Sequence, residues 1–255
     1  MWTARAAQAG FTPTEPPTPL PSTQGEVWIM PTTSGPVIVK RGSVAQTQRE
    51  RAGLSFAASV GSVPTVLAQL DDRTLILSWH AGSASIEAHA VEAAGAWLRA
   101  LHQRPHIDDD SLSVPDALAR RLEGWSARAR DPNLLRIARE IDVRAFEGLA
   151  RVWCHRDFTP NNWLWNEDGG LTIVDFGQAR PDLALWDLVK LEATTFADDP
   201  ALRRAFRTGY GTPTPREARQ LEQLVALHGL QTAVWGDEHH DEEFSALGRR
   251  ILASM

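Results

Sequence analysis

The chain has 255 residues, with 26 Lys+Arg against 32 Asp+Glu and a formal charge of −6. This acidic balance excludes a generic nucleic-acid binder, which needs a basic face to displace counterions. A single cysteine, Cys154, excludes an intrachain disulfide and a cysteine-based zinc cluster. No uncharged apolar run reaches the length of a membrane span, so no membrane partner is expected. Met1 to Phe11 lack the basic start and apolar block of a secretory signal, which makes a cytoplasmic location the expectation.

Residues 4–9 suit a short helix ended by Gly10. Pro13, Pro16, Pro17, Pro19 and Pro21 follow, each without a backbone donor and with φ fixed, so this stretch is expected to be an extended surface tether. Residues 26–30 and 36–40 read as strands around the turn-rich Pro31-Thr32-Thr33-Ser34-Gly35. Residues 46–59 have helical composition, and 63–70 and 74–79 read as two more strands. Beyond Ser85, a plausible N-cap, Val91, Ala94, Leu98 and Leu101 recur at helical spacing. Further helices are expected over 115–130, 134–149, 183–196, 200–210, 215–228 and 241–252, interrupted by a β segment over 151–176. The expected organisation is α+β: a tether over 1–21, a small antiparallel β lobe over 22–82, and a larger, mainly helical lobe over 83–255.

The β segment carries the informative residues. His155-Arg156-Asp157-Phe158-Thr159-Pro160-Asn161-Asn162 has the form H-x-D-x-x-x-x-N, and Asp175-Phe176-Gly177 follows it. Between them, Trp163-Leu164-Trp165 and Leu171-Thr172-Ile173-Val174 flank a polar turn and predict a second hairpin. Such a hairpin sets the Asp157/Asn162 loop beside Asp175 at a strand end. Asn162 and Asp175 offer hard oxygen ligands suited to Mg²⁺, while Asp157 can face an incoming hydroxyl. Phosphoryl transfer asks for this set: an in-line hydroxyl, metal neutralisation of phosphate charge, and a carboxylate to orient or accept the proton.

These residues resemble the catalytic loop and metal-binding segment of the protein-kinase-like fold. They are most similar to the aminoglycoside phosphotransferase and choline kinase branch, whose loop often reads Asp-x-x-Pro-x-Asn, as Asp157, Pro160 and Asn162 do here. The resemblance implies a bilobal fold over most of the chain and use of ATP or GTP with Mg²⁺. It implies that Lys40, ending the strand Val37-Ile38-Val39-Lys40, engages phosphates and that Glu50 on the next helix holds it. It implies catalysis by Asp157, metal binding by Asn162 and Asp175, and support of the catalytic loop by His155 and Asp187. Ser22, Thr23 and Gly25 stand where the phosphate loop belongs, without the spelling G-x-G-x-x-G, which leaves ATP against GTP open. Ile38, Leu77, Trp79, Leu164 and Val174 would line the base, with Ile38 where protein kinases usually carry Ala.

After Gly177 the chain reaches Asp187 too soon for the activation segment that docks peptides in protein kinases, so a small hydroxyl compound is the expected acceptor. Asp237, Glu238 and Asp241 could form an acidic wall for a polyamine, or simply start a helix. The Ala- and Arg-rich composition and residues 235–250 resemble phosphotransferases of antibiotic-producing bacteria, which implies antibiotic inactivation. The alternatives are a metabolic kinase for choline, a sugar or an amino-alcohol, and, given the degenerate phosphate loop, a nucleotide-binding pseudokinase. A monomer or weak dimer is expected. Of ten Trp, six (Trp28, Trp79, Trp153, Trp163, Trp165 and Trp186) are expected to flank the cleft.

Overall fold

The computed structural model describes residues 2–22, 25–108, 110–197 and 199–255. It opens with helix α1 (Trp2–Gln8), then strands β1 (Thr18–Leu20), β2 (Glu26–Met30) and β3 (Val37–Arg41), helix α2 (Val44–Ala57), and strands β4 (Val66–Asp71) and β5 (Thr74–Ser78). These strands form one antiparallel sheet in the order β1-β2-β3-β5-β4. Alternation divides its residues between two faces. Val37, Val39 and Ile76 pack outward with Met30 and with Ala6 of α1, while Leu75 and Leu77 join the main core.

The proline-rich segment is therefore more than a tether. Its end pairs with β2, Pro19 lying opposite Trp28. An edge strand tolerates a proline because its outer N–H has no partner to lose. Trp28 packs with the outer cluster beneath α1, so it does not flank the cleft.

The helical lobe follows: β6 (Ser83–Ala84), α3 (Ala88–His102), α4 (Val114–Ser126), α5 (Pro132–Glu140), β7 (Val152–Cys154), β8 (Trp163–Trp165), β9 (Leu171–Ile173), β10 (Arg180–Asp182), α6 (Trp186–Lys190), α7 (Pro200–Tyr210), α8 (Pro215–His239) and α9 (Glu242–Ala253). Its helices start on a repeated device, a capping side chain followed at once or nearly so by proline. Ser113, Asp131, Asp199 and Thr214 each accept a backbone N–H of the first turn, with Pro115, Pro132, Pro200 and Pro215 behind them. The oxygen satisfies an orphan donor and the proline supplies a preset φ where no donor is needed.

Several expected boundaries differ. Ser85 does not cap α3; its hydroxyl accepts the Glu87 N–H at 3.3 Å in a local turn, and α3 begins without a side-chain cap. The helix expected over 134–149 breaks after Glu140, where the Asp142 carboxylate takes the Arg144 N–H and starts a separate 3₁₀ turn over Val143–Phe146. Helix α8 instead runs on to His239, with Gly229 seated against Leu252 of α9. Strand β10, unforeseen, pairs antiparallel with β7. Helix α6 runs directly into a π-helical turn over Leu191–Thr195, closed by the Phe196 N–H on the Leu191 carbonyl at 2.7 Å.

Helices α3 and α7 cross where two glycines meet backbone. A Cβ on Gly95 would lie 2.4 Å from the Phe206 carbonyl oxygen, and one on Gly209 would lie 2.0 Å from that of Glu92. On the same helix α3, Trp97 stacks on Phe158 of the loop over 155–162, 5.9 Å between centroids.

Candidate active site

Strand β3 sends Val37 and Val39 to the outer face, so Ile38 and Lys40 turn to the inner one. Helix α2, started by a Ser43/Gln46 capping box, carries the buried Glu50 toward that face. The Lys40 Nζ donates to Glu50 Oε2 at 2.6 Å and to Asp175 Oδ1 at 2.6 Å. Burial acts to lower the Lys40 ammonium, but the charges of Glu50 and Asp175 outweigh it and hold it above its ordinary value. Burial likewise acts to raise Asp175, and the Lys40 charge reverses that and lowers it. The other Glu50 oxygen, Oε1, is buried without a hydrogen-bond partner. These groups line a narrow cavity with Thr47, Leu75 and Gly177. A larger open groove lies between residues 142–148 and the start of α8 and holds none of these site residues.

The loop side is built by the hairpin β8–β9, in which Trp163 pairs with Ile173. One step beyond, the Val174 N–H donates to the Asn162 carbonyl at 3.0 Å, which sets Asn162 beside the approach to Asp175. The Asn162 amide donates to the Asp157 carbonyl at 2.8 Å. His155 is held through both nitrogens: Nε2 meets the Val174 carbonyl at 2.9 Å, and Nδ1 accepts the Asp157 N–H at 3.3 Å. Arg156 and Asp175 both sit at positive φ, 66° and 65°, a conformation non-glycine residues adopt only under tertiary constraint.

Asp187 supplies much of that constraint. Its carboxylate accepts the N–H groups of His155 at 2.8 Å and Arg156 at 2.5 Å, and meets His102 Nε2 at 3.0 Å. Tyr210 closes the chain on His102 Nδ1 at 2.9 Å. Burial acts to raise Asp187, but the hydrogen bond and charge of His102 bring it below the usual carboxylate value. Cys154 lies in the same buried cluster, its thiol donating to the carbonyls of Asp182 and Leu183, and burial raises it well above the ordinary thiol range.

One participant was not anticipated. Lys190, at the end of α6, places Nζ 2.5 Å from Asp157 Oδ1. Local sequence marks it as an ordinary helix-end cation, yet composition held a signal. The chain contains two lysines against 24 arginines, and both lysines bond an aspartate of this site.

The remaining expected residues divide. Leu77 is buried opposite Ile38, which is partly exposed on the inner face. Trp79 is exposed where the chain leaves β5. Leu164 pairs with Ala84 and Thr172, and both it and Val174 are partly exposed. Gly25 has φ 86°, and a Cβ there would lie 2.4 Å from the Arg41 carbonyl oxygen, so only glycine fits this turn. Ser22 is exposed beside it; Thr23 lies outside the described residues. Trp163 and Trp186 are core side chains.

The acidic tract does not present a free anionic wall. Asp237 is bound by Arg249 at 3.0 Å and by Ser245 at 2.6 Å, Glu238 by Arg128 at 3.1 Å, and Asp241 caps α9 through the Phe244 N–H at 3.0 Å.

The donor chemistry fits a divalent cation. Glu50, Asp175 and Lys40 together leave an excess negative charge, and the partly exposed Asp175 and Asn162 offer oxygen ligands of the hard type Mg²⁺ prefers. Among described residues no helix is long and apolar enough to cross a membrane.

No curated protein sequence matches the chain significantly. Among solved structures it is similar in fold to a choline/ethanolamine kinase family protein from Mesorhizobium loti, at 20% identity and TM-score 0.75, covering 98% of this chain and 91% of that one. It is similar to the gentamicin complex of APH(2″)-IIa at 17% identity and TM-score 0.73, covering 100% and 95%. It is also similar to the macrolide 2′-phosphotransferase MphH from Brachybacterium faecium at 16% identity and TM-score 0.68, covering 99% and 97%. The fold is thus the bilobal kinase-like α+β architecture, with an antiparallel sheet lobe and a helical lobe. A family model described as the phosphotransferase enzyme family (APH) matches residues 18–221, most of the chain, and the protein belongs to that family.

Proposed function

We propose that the protein is a small-molecule O-kinase that moves the γ-phosphate of ATP or GTP to a hydroxyl of an antibiotic. The observation that carries this reading is the convergence of Lys40, Glu50 and Asp175 on one side with Asp157 and Asn162 on the other. Lys40, held by Glu50, engages the α/β-phosphates, and the turn at Gly25 with Ser22 offers backbone donors. Ile38, Leu77, Trp79, Leu164 and Val174 enclose the base. Asn162 and Asp175 would hold Mg²⁺, whose part is to neutralise phosphate charge. Asp157 orients the acceptor hydroxyl and takes its proton as the new O–P bond forms and the bond from the γ-phosphorus to the departing nucleoside diphosphate breaks.

A small acceptor is supported by the short run from Gly177 through β10 into α6, which has no peptide-docking segment. The paired state of Asp237, Glu238 and Asp241 removes the feature that favoured a polyamine, so weakly charged natural products lead the antibiotic class. The second reading, a metabolic kinase, is supported by the fold shared with a choline/ethanolamine kinase family protein. Either reaction belongs in the cytoplasm, where nucleoside triphosphates are available.

The test is Mg²⁺-dependent consumption of ATP and GTP across macrolides, aminoglycosides, choline and sugars. Phosphorylation of an antibiotic supports the first reading, turnover restricted to a metabolite supports the second, and nucleotide binding without turnover of any acceptor refutes both. In calorimetry, Asp175→Ala should lose the Mg²⁺-dependent part of nucleotide binding; an unchanged titration would remove the metal role.

A further inference from the structure

Asp157 is fixed at three points. Asn162 holds its carbonyl, His155 its N–H, and Lys190 one oxygen of its carboxylate. The lysine Nζ lies 2.5 Å from Oδ1, which leaves Oδ2 for another donor. Lys190 is itself fixed, since it ends α6 and its carbonyl accepts the Thr194 hydroxyl at 2.7 Å across the π turn. Its side chain is 40% exposed, so the ammonium keeps a face toward solvent.

The surrounding charges are one-sided. Glu192, two residues on, is taken up by Arg203 at 2.8 Å and Arg207 at 3.4 Å. Asp182 lies among Arg121, Arg156 and Arg180 at 3.3 to 3.7 Å. His228, on α8, is lowered to about 4 by burial first and then by the charges of Lys190 and Arg156, and so stays neutral. Glu192 and Asp182 are thus held by arginines, Asp187 one turn before Lys190 is held by the His155 and Arg156 N–H groups and His102, and the charge of Asp157 is offset by Lys190.

We propose that Lys190 positions Asp157 toward the acceptor hydroxyl and, by offsetting its charge, selects acceptors with no cationic group beside that hydroxyl. This rests on the phosphotransferase reading and narrows its substrate class. In a chain that otherwise uses arginine, a lysine here is chemically apt. A compact ammonium can bond one carboxylate oxygen without forking across both, as a guanidinium would.

The two-lysine composition makes the pairing directly observable. The full-length protein labelled with ¹³C and ¹⁵N in lysine gives two side-chain signals, assigned by losing one in Lys190→Arg. Asp157→Asn should shift the Lys190 signal and leave that of Lys40 in place; two unmoved signals would overturn the pairing.

With a reactive acceptor, Lys190→Met should lower kcat about tenfold or more with the nucleotide KM unchanged, and Lys190→Arg should recover part of it. The kcat/KM ratio of a cationic to a neutral acceptor should rise at least about tenfold in Lys190→Met. A fall in nucleotide affinity equal to the fall in kcat, or an unchanged acceptor ratio, would overturn the role. If no acceptor turns over while the lysine signals report the pair, the kinase reading fails and the pairing stands. If acceptors turn over and the signals do not move, the positioning proposal alone fails.

Discussion

The site has two lysine–aspartate pairs, with one lysine from each lobe, and they are built differently. Lys40 is shared between Glu50 and Asp175 and is 16% exposed; Lys190 meets, among the described residues, Asp157 alone and is 40% exposed. The first cluster carries one more negative charge than positive, which suits a cation and a polyphosphate. The second is balanced, which suits a neutral hydroxyl. On the proposed reading, the two pairs of the same chemistry would serve a donor half and an acceptor half.

This division can be broken most directly at Asp157. Asp157→Ala should reduce turnover by about 10²–10⁴-fold, the range for general-base positioning, with nucleotide affinity unchanged. Steady-state kinetics beside calorimetry check it, and intact turnover would erase the acceptor half. Next in size is Asp187, which holds the backbone under Asp157. Asp187→Asn replaces a buried acceptor of several donors and should lower stability by about 3–5 kcal/mol. That corresponds to a melting temperature roughly 6–20 °C lower. Because its folded-state pKa is depressed, its contribution is present above the unfolded value of about 3.9 and is lost as pH falls through the folded value. Acid denaturation of wild type and variant should therefore converge only below about pH 4.

Lys40→Met tests the other half. Loss of charged hydrogen bonds of about 1.5–3 kcal/mol should weaken nucleotide binding roughly ten- to hundredfold. Direct binding that stays at wild-type strength would end its assignment to the donor side. Smallest per pH unit is the effect of His228, lowered to about 4 by burial first and then by the charge of Lys190. Below its ordinary value of about 6.5 the unfolded chain takes a proton that the folded one refuses. Stability should then fall by at most about 1.4 kcal/mol per pH unit between pH 6.5 and 4. His228→Gln should flatten that slope in urea titrations, and an unchanged slope would show that the fold does not hold His228 neutral.

The two halves also differ in how legible they were. Lys40, Glu50 and Asp175 stand at positions a sequence pattern can carry, on a strand, the next helix and a hairpin end, so order along the chain was enough to nominate them. Lys190 follows Asp187 by one helical turn, and nothing local marks it; only its pairing with a loop residue far upstream does. The acidic tract failed for the converse reason. Asp237 and Glu238 look free in a linear reading, but their arginines come from α9 and from the end of α4. The hidden edge strand β1 is a third case, because Pro19 is compatible with a sheet only where no further strand follows it, a fact of neighbours. Helix starts were legible at Pro200 and Pro215, where the proline is itself a local signal, but not at Asp131-Pro132, where the helix was expected from 134.

The π turn at Leu191–Thr195 has a mechanical consequence. A widened turn accommodates one residue more than an α-helical turn would, and each residue of an α-helix corresponds to about 100° of rotation. Deleting one residue there would leave an ordinary α turn and keep the chain beyond it in register with Lys190. Arg203 and Arg207 should then keep their hold on Glu192, which makes the turn a place where the chain can lose a residue other than Glu192 without rearranging these ion pairs.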